Sequence, residues 1–302
     1  MSMHDDNDHH EHDLGLAHDL KFMLGRRKLL ALMGGVGVAS LSGLPALALE
    51  CVALPWETQG PYPADGSNVR DGQVINALTQ EGVIRQDLRP SFGTLTPVAD
   101  GLQFDLELTL VNADGCTPLA GHAVYIWHCD TIGKYSLYDI TDANYLRGVG
   151  ISDADGKVKF TTIFPGCYDG RWPHIHFEVF ESATKAVSGD NALLTAQIAM
   201  PEAECSAVYA ADSRYSSSTQ NLGRITIPTD NVFGDNTAEE VAQQTPAMSG
   251  SPTTGYTGTV TIPIDFTAER STGASMPAGG AGGPPPGAPA DGSQPSGPPP
   301  SN

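Results

Sequence analysis

Basic residues are scarce in this chain: 16 Lys and Arg stand against 35 Asp and Glu in 302 residues, a formal charge of −19. So acidic a protein repels nucleic acid and anionic membrane and keeps itself in solution. Helical periodicity is nearly missing too, since only the stretches near Glu202 to Ala210 and Thr237 to Gln244 carry a pattern that a short helix would use. That excludes a helical bundle. Apolar runs long enough to cross a bilayer are missing beyond residue 49, so no stable membrane span is expected there. Cysteine is limited to five residues, at 51, 116, 129, 167 and 205, an odd number that allows two disulfides at most.

The one long apolar run, Leu29 to Leu49, follows Arg26-Arg27-Lys28 and is broken by Gly34-Gly35, Ser40, Ser42 and Pro45. A basic pair, a moderately apolar segment and small residues near its end are what export machinery recognises and cleaves. Residues 1–48 are therefore expected to be an export signal resembling the twin-arginine type, with a retained anchor as the alternative. The protein is expected in the periplasm or outside the cell. Cleavage would remove four of the basic and six of the acidic residues, leaving 12 against 29 and a formal charge of −17. Only His122, His128, His174 and His176 would remain of the histidines.

Residues 49–102 show turn signals such as Ala64-Asp65-Gly66-Ser67 and little periodicity, as an extended N-terminal arm would. Alternation begins at Phe104, where Phe104, Leu106, Leu108 and Leu110 interleave with Asp105, Glu107 and Thr109. Further strands are predicted at Ala123 to His128, Tyr145 to Ser152, Val158 to Phe164, Ile175 to Phe180, Leu193 to Met200, Arg224 to Ile227 and Tyr256 to Phe266. Asp155-Gly156 carries a hairpin turn signal, a stronger reading than the calcium loop that Asp153 and Asp155 also hint at. The pattern predicts an all-β fold, a β-sandwich of mostly antiparallel strands with long loops over residues 103–268, and disordered N- and C-terminal ends. The tail, 269–302, is Gly, Pro, Ala and Ser without periodicity.

The chemistry concentrates in Gly166-Cys167-Tyr168-Asp169-Gly170-Arg171-Trp172-Pro173-His174-Ile175-His176-Phe177-Glu178-Val179-Phe180. On a strand, Ile175, Phe177 and Val179 fall on one face and His174 and His176 on the other, so two imidazoles can converge on one ion. Tyr168 and Arg171 precede them on a turn that delivers both side chains to the same face. Glu178 shares that face and is expected to be solvated or salt-bridged rather than a fifth ligand. Spacing leaves the cysteine pairing open, and a bridge between Cys129 and Cys167, each a few residues from a candidate ligand, is the preferred expectation.

Upstream, Tyr125-Ile126-Trp127-His128-Cys129-Asp130-Thr131-Ile132-Gly133-Lys134-Tyr135-Ser136 runs from a strand into a Gly-containing loop. Together with the later stretch it resembles the signature of intradiol ring-cleavage dioxygenases over roughly residues 57 to 200. The resemblance implies that Tyr135, Tyr168, His174 and His176 bind ferric iron, that Arg171 and Gln197 stand beside the reacting groups, and that Gly60, Pro61 and Tyr62 line the substrate pocket. It implies Tyr168 as the ligand that yields to substrate and accepts a proton. The reaction implied is cleavage of a catechol-type ring between its two hydroxyls by O2, giving a muconate-type diacid. Nothing in residues 49–102 reads as the helical dimerisation region of the catechol and hydroxyquinol branches, so the protocatechuate branch is the nearer resemblance, and a homo-oligomer is compatible with it. Only five residues separate Tyr168 from His174, a short loop for the family.

The residue types suit the metal. Phenolate oxygen and imidazole nitrogen match a hard, highly charged ion better than thiolate does. Two alternatives remain: a catalytically silent extracellular β-sandwich that binds a catechol or cell-wall ligand, and a zinc or copper site built on His174 and His176 alone, which leaves both tyrosines without a task. His128, Trp127 and Trp172 are expected to serve hydrogen bonding and packing.

Overall fold

A computed structural model of the chain describes residues 51–270. The expected export signal and nearly all of the expected tail lie outside the described residues.

Ten strands organise the rest. A two-stranded hairpin pairs β1 (Asp65–Arg70) with β2 (Gln73–Asn76). The strands β3 (Gln103–Asn112), β6 (Lys157–Ile163), β9 (Ala247–Ser251) and β10 (Gly255–Ile264) form a sheet in the order β6-β3-β10-β9. A second sheet has the order β5-β4-β7-β8, from β4 (Ala123–Trp127), β5 (Arg147–Ile151), β7 (His174–Phe180) and β8 (Leu194–Ala199). Every pairing is antiparallel except β10 with β3, where Phe104 lies beside Tyr256 and Leu108 beside Val260. Three short helices follow β8 in the chain: α1 (Glu202–Ala211), α2 (Ser216–Leu222) and α3 (Ala238–Gln244). Thr237 and Glu240 cap α3 reciprocally, each side chain bonding the other's backbone N–H. Among the described residues no helix is long and apolar enough to cross a membrane.

The alternation in β3 decides where the core lies. Phe104, Leu106, Leu108 and Leu110 are all buried and join Val124, Ile126, Ile175, Phe177 and Val179 of the other sheet in one apolar cluster. Each such side chain contributes about 1.5–3 kcal/mol by leaving water. A second cluster covers the opposite face of the β5-β4-β7-β8 sheet, joining Tyr125, Trp127 and Tyr135 to Ala64, Ala77 and Leu78. With both faces covered, β7 is buried at every position from His174 to Phe180. Polar side chains there lie between two apolar clusters.

Several expectations need correction. The segment 49–102 is no plain extended arm: it contains the β1–β2 hairpin and is tied to the sheets by Leu54 N–H to Pro263, Glu57 N–H to Thr195 and Leu88 N–H to Thr161. Asp155-Gly156 does form a turn, with Asp153 accepting from the Asp155 and Lys157 N–H groups. The strands it joins, β5 and β6, belong to different sheets, so it is not a hairpin. Arg224 to Ile227 is not a strand but leads into a 3-10 turn, Ile227–Thr229. The expected Cys129–Cys167 bridge is absent: Cys51 pairs with Cys116, while Cys129, Cys167 and Cys205 are free thiols buried in the core. The bridge instead ties the beginning of the described chain to the turn after β3.

Candidate metal centre

Strand pairing sets the site. On β7, His176 stands opposite Trp127 of β4 on one side and Gln197 of β8 on the other. Trp127 stacks flat on the His176 ring, 4.9 Å between centroids and 3° from parallel, and so fixes its plane. His174 is oriented by its own chain, since Nδ1 donates to the Trp172 carbonyl at 2.5 Å and leaves the Nε2 lone pair facing inward. The two Nε2 atoms lie 3.0 Å apart, and the Tyr168 hydroxyl is 3.2 Å from that of His174. Tyr135 completes the group. Its ring meets Tyr168 edge-on at 6.0 Å, and its hydroxyl is buried without a hydrogen-bond partner. The loop that carries Tyr135 turns at Gly133, whose φ is +81° and whose missing Cβ makes room for Tyr168.

Burial works against charge at each of these groups. It lowers His174 to about 3, with Arg171 adding to the effect, and drives His176 well below the ordinary value, so both imidazoles are neutral and able to bind a metal. It raises Tyr168 to about 12 and holds Tyr135 well above the ordinary phenol value, so neither phenol ionises unaided. An orphaned buried hydroxyl beside facing imidazole nitrogens fits a cation that would ionise the phenols. Among the described residues no three His, Cys, Asp or Glu side chains gather, so the donors that accompany the two histidines are phenol oxygens. That set suits a hard trivalent ion.

The other predicted residues surround this group. Arg171 donates from Nη2 to Gln197 Oε1 at 2.7 Å and from Nε to Asp230 at 2.9 Å, leaving Nη1 without a hydrogen-bond partner among the described residues. Gln197 is held from its other end by donating to the Thr58 carbonyl. Gly60, at φ +70°, packs against His176, where a Cβ would lie 3.3 Å from Cε1. Tyr62 lies 5.0 Å, ring to ring, from both Tyr135 and Tyr138. Pro61 is exposed, its carbonyl accepting from Asn68. His128 bonds through both ring nitrogens, to the Cys129 carbonyl and Thr162, and Trp172 donates to the Met200 carbonyl.

Glu178 departs from expectation. It is fully buried, neither solvated nor salt-bridged, with Asp65 and Thr195 as the polar side chains beside its carboxyl. Burial, with Asp65 beside it, raises its pKa well above the usual range.

Two residues of consequence carry no sequence signal. Asp230, its side chain entirely buried, binds Arg171 and accepts from the Trp172, Val232 and Phe233 N–H groups. Burial opposes its charge, and Arg171 with these donors holds it below the ordinary carboxylate value. Glu57 accepts from Asn236 and Gln244, and burial raises it to about 7. Both work through partners remote in the chain, so no local pattern marks them.

Residues 96–202 match a family model described as dioxygenase. Catechol 1,2-dioxygenase 1 of Acinetobacter lwoffii is 29% identical over 136 residues, an alignment that spans 41% of that protein's length. Among solved structures, the intradiol ring-cleavage dioxygenase from Tetranychus urticae is 23% identical, with 74% of this chain and 98% of that one covered at a TM-score of 0.55.

Proposed function

The chain belongs to the intradiol ring-cleavage dioxygenase family, and on that footing we propose that it is an exported ferric enzyme that opens a catechol-type ring between its two hydroxyls with O2. The observation that carries this reading is the convergence of the Tyr135 and Tyr168 hydroxyls with the facing Nε2 atoms of His174 and His176. These four would hold the iron, which when bound supplies Lewis acidity that draws electron density from a coordinated catecholate. The two sheets share one apolar core, and we read them as the sandwich that would support these ligands.

The protein's own groups divide the remaining work. Tyr168 is half-buried whereas Tyr135 is only 2% exposed, so Tyr168 is the ligand with room to swing away, and as the phenolate that a bound metal would make of it, it could accept a substrate hydroxyl proton. Arg171 has Asp230 and Gln197 to aim it and Nη1 to spare, so it can stabilise an oxyanion developing on the ring. Gly60 and Tyr62 wall the space in front of His176 and Tyr135. Export is supported by the Cys51–Cys116 disulfide, a bond that persists in oxidising compartments.

The test is direct. Protein purified without an affinity tag and loaded with ferric salt should turn red to burgundy from tyrosinate-to-iron charge transfer. It should then consume O2 with one of catechol, protocatechuate or hydroxyquinol. A preparation that stays colourless removes the ferric reading, and a coloured one that consumes no O2 with any of them leaves a binding module.

A further inference from the structure

Arg147, the first residue of β5, is fully buried, and its four hydrogen bonds all go to neutral oxygens. Nε donates to Ser136 Oγ at 3.1 Å and Nη2 to the Ser136 carbonyl at 3.0 Å, while Nη1 reaches the Pro63 carbonyl at 3.0 Å and the Tyr125 hydroxyl at 3.3 Å. Among the described residues it has no carboxylate at ion-pair distance. A guanidinium taken out of water without a counter-charge is costly, more so than its neutral hydrogen bonds offset. Its surroundings identify where a negative charge would relieve that cost. The guanidinium carbon lies 6.0 Å from the ring centroid of Tyr135 and 5.4 Å from that of Tyr138. Tyr138 already donates its hydroxyl to Asn68 and accepts from Ala64, whereas the Tyr135 hydroxyl has no partner.

We propose that Arg147 is a positioning residue of the metal centre, clamping the Tyr135–Ser136 loop to the segment that ends in Pro63 while its unbalanced positive charge is complemented by Tyr135 as a metal-bound phenolate. The clamp joins two pieces of chain that both face the site. Pro63 directly follows Gly60-Pro61-Tyr62, and Ser136 directly follows Tyr135. Tyr125 ties the two together by donating to the Pro63 carbonyl at 2.8 Å. Ligand placement and pocket wall are thereby set by one side chain that touches neither substrate nor metal.

This inference rests on the ferric reading above, and two substitutions separate it from that reading. Arg147→Gln removes the charge and most of the fork; Arg147→Lys keeps the charge alone. With wild-type protein coloured by ferric iron, the Gln variant should lose iron affinity by on the order of ten- to a hundredfold. Its charge-transfer band should move to longer wavelength, because a phenolate without a nearby cation gives up its electron more readily. The Lys variant should keep the wild-type band. A purely structural clamp would lower the melting temperature of both variants and leave both bands in place, and a Gln variant with wild-type affinity and an unmoved band overturns the proposal. If the Gln variant does not fold by circular dichroism, the Lys variant decides: folded protein that binds iron more weakly than wild type but with an unmoved band supports the role, because the fork is lost and the charge kept, and folded protein with wild-type affinity or a shifted band refutes it. Wild-type protein that takes up no colour is the separate failure of the ferric reading, and this inference falls with it.

Discussion

At the scale of single residues, Arg171 offers the sharpest separation of catalysis from assembly. It is anchored by Asp230 and Gln197 and touches none of the four ligand atoms through a hydrogen bond. Arg171→Ala is expected to keep iron and colour while turnover falls by on the order of a hundredfold or more; iron loss comparable to that of His174→Ala would make it structural instead. Glu57 makes a prediction about pH. Burial lifts its carboxyl from an ordinary 4.5 to about 7, against the hydrogen bonds from Gln244 and Asn236. Between those two values the folded protein holds a proton that the unfolded chain has released, so stability falls as pH rises through the window, by about 3 kcal/mol in all. Glu57→Gln should flatten that fall, measured by urea unfolding from pH 4.5 to 8. Of the candidate ligands, His174 and His176 were legible from strand spacing, whereas Tyr135 and Tyr168 were legible as ligands only through the resemblance to the intradiol signature. Asp230 and Glu57 were not, because each matters only through neighbours that the fold delivers.

At the scale of elements, β7 and the Gly60 segment depend on each other. Gly60 sits in left-handed backbone with the His176 ring filling the space where a Cβ would project. Gly60→Ala should therefore cost about 1–2 kcal/mol in backbone conformation and crowd the imidazole, which iron titration would register as weaker binding alongside a lowered melting temperature. Strand positions were readable wherever one face alternates, as in β3. The β1–β2 hairpin, β9 and α2 were not: exposed strands carry little alternation, and Ser216–Leu222 is polar throughout except for its last residue. Asp155-Gly156 shows a different limit. The local chemistry dictated a turn correctly, but which sheet each flanking strand joins is decided by long-range pairing that a turn motif does not encode.

At the scale of the whole molecule, thiol chemistry checks the connectivity. The Cys51–Cys116 bridge closes a span of 65 residues, so its reduction should cost about 4 kcal/mol by chain entropy. Native protein should resist alkylation at Cys129, Cys167 and Cys205, and denatured, unreduced protein should expose three thiols; a count of one would restore a second bridge. The expectation of a Cys129–Cys167 bond failed for a physical reason. Proximity to the same site placed both sulfurs in the interior, where each finds a backbone carbonyl, Gly166 for one and Arg171 for the other.

The parallel pairing of β10 with β3 bears on timing. It joins strands roughly 150 residues apart, with β4, β7 and β8 all lying in the chain between them. A ribosome must therefore release nearly the entire described chain before that sheet can close over the core it shares with the sheet that carries His174 and His176. On the ferric, exported reading proposed above, iron loading would be a late event, after synthesis and ahead of a passage that demands a finished fold, so the supply of metal inside the producing cell would govern how much active protein reaches the outside.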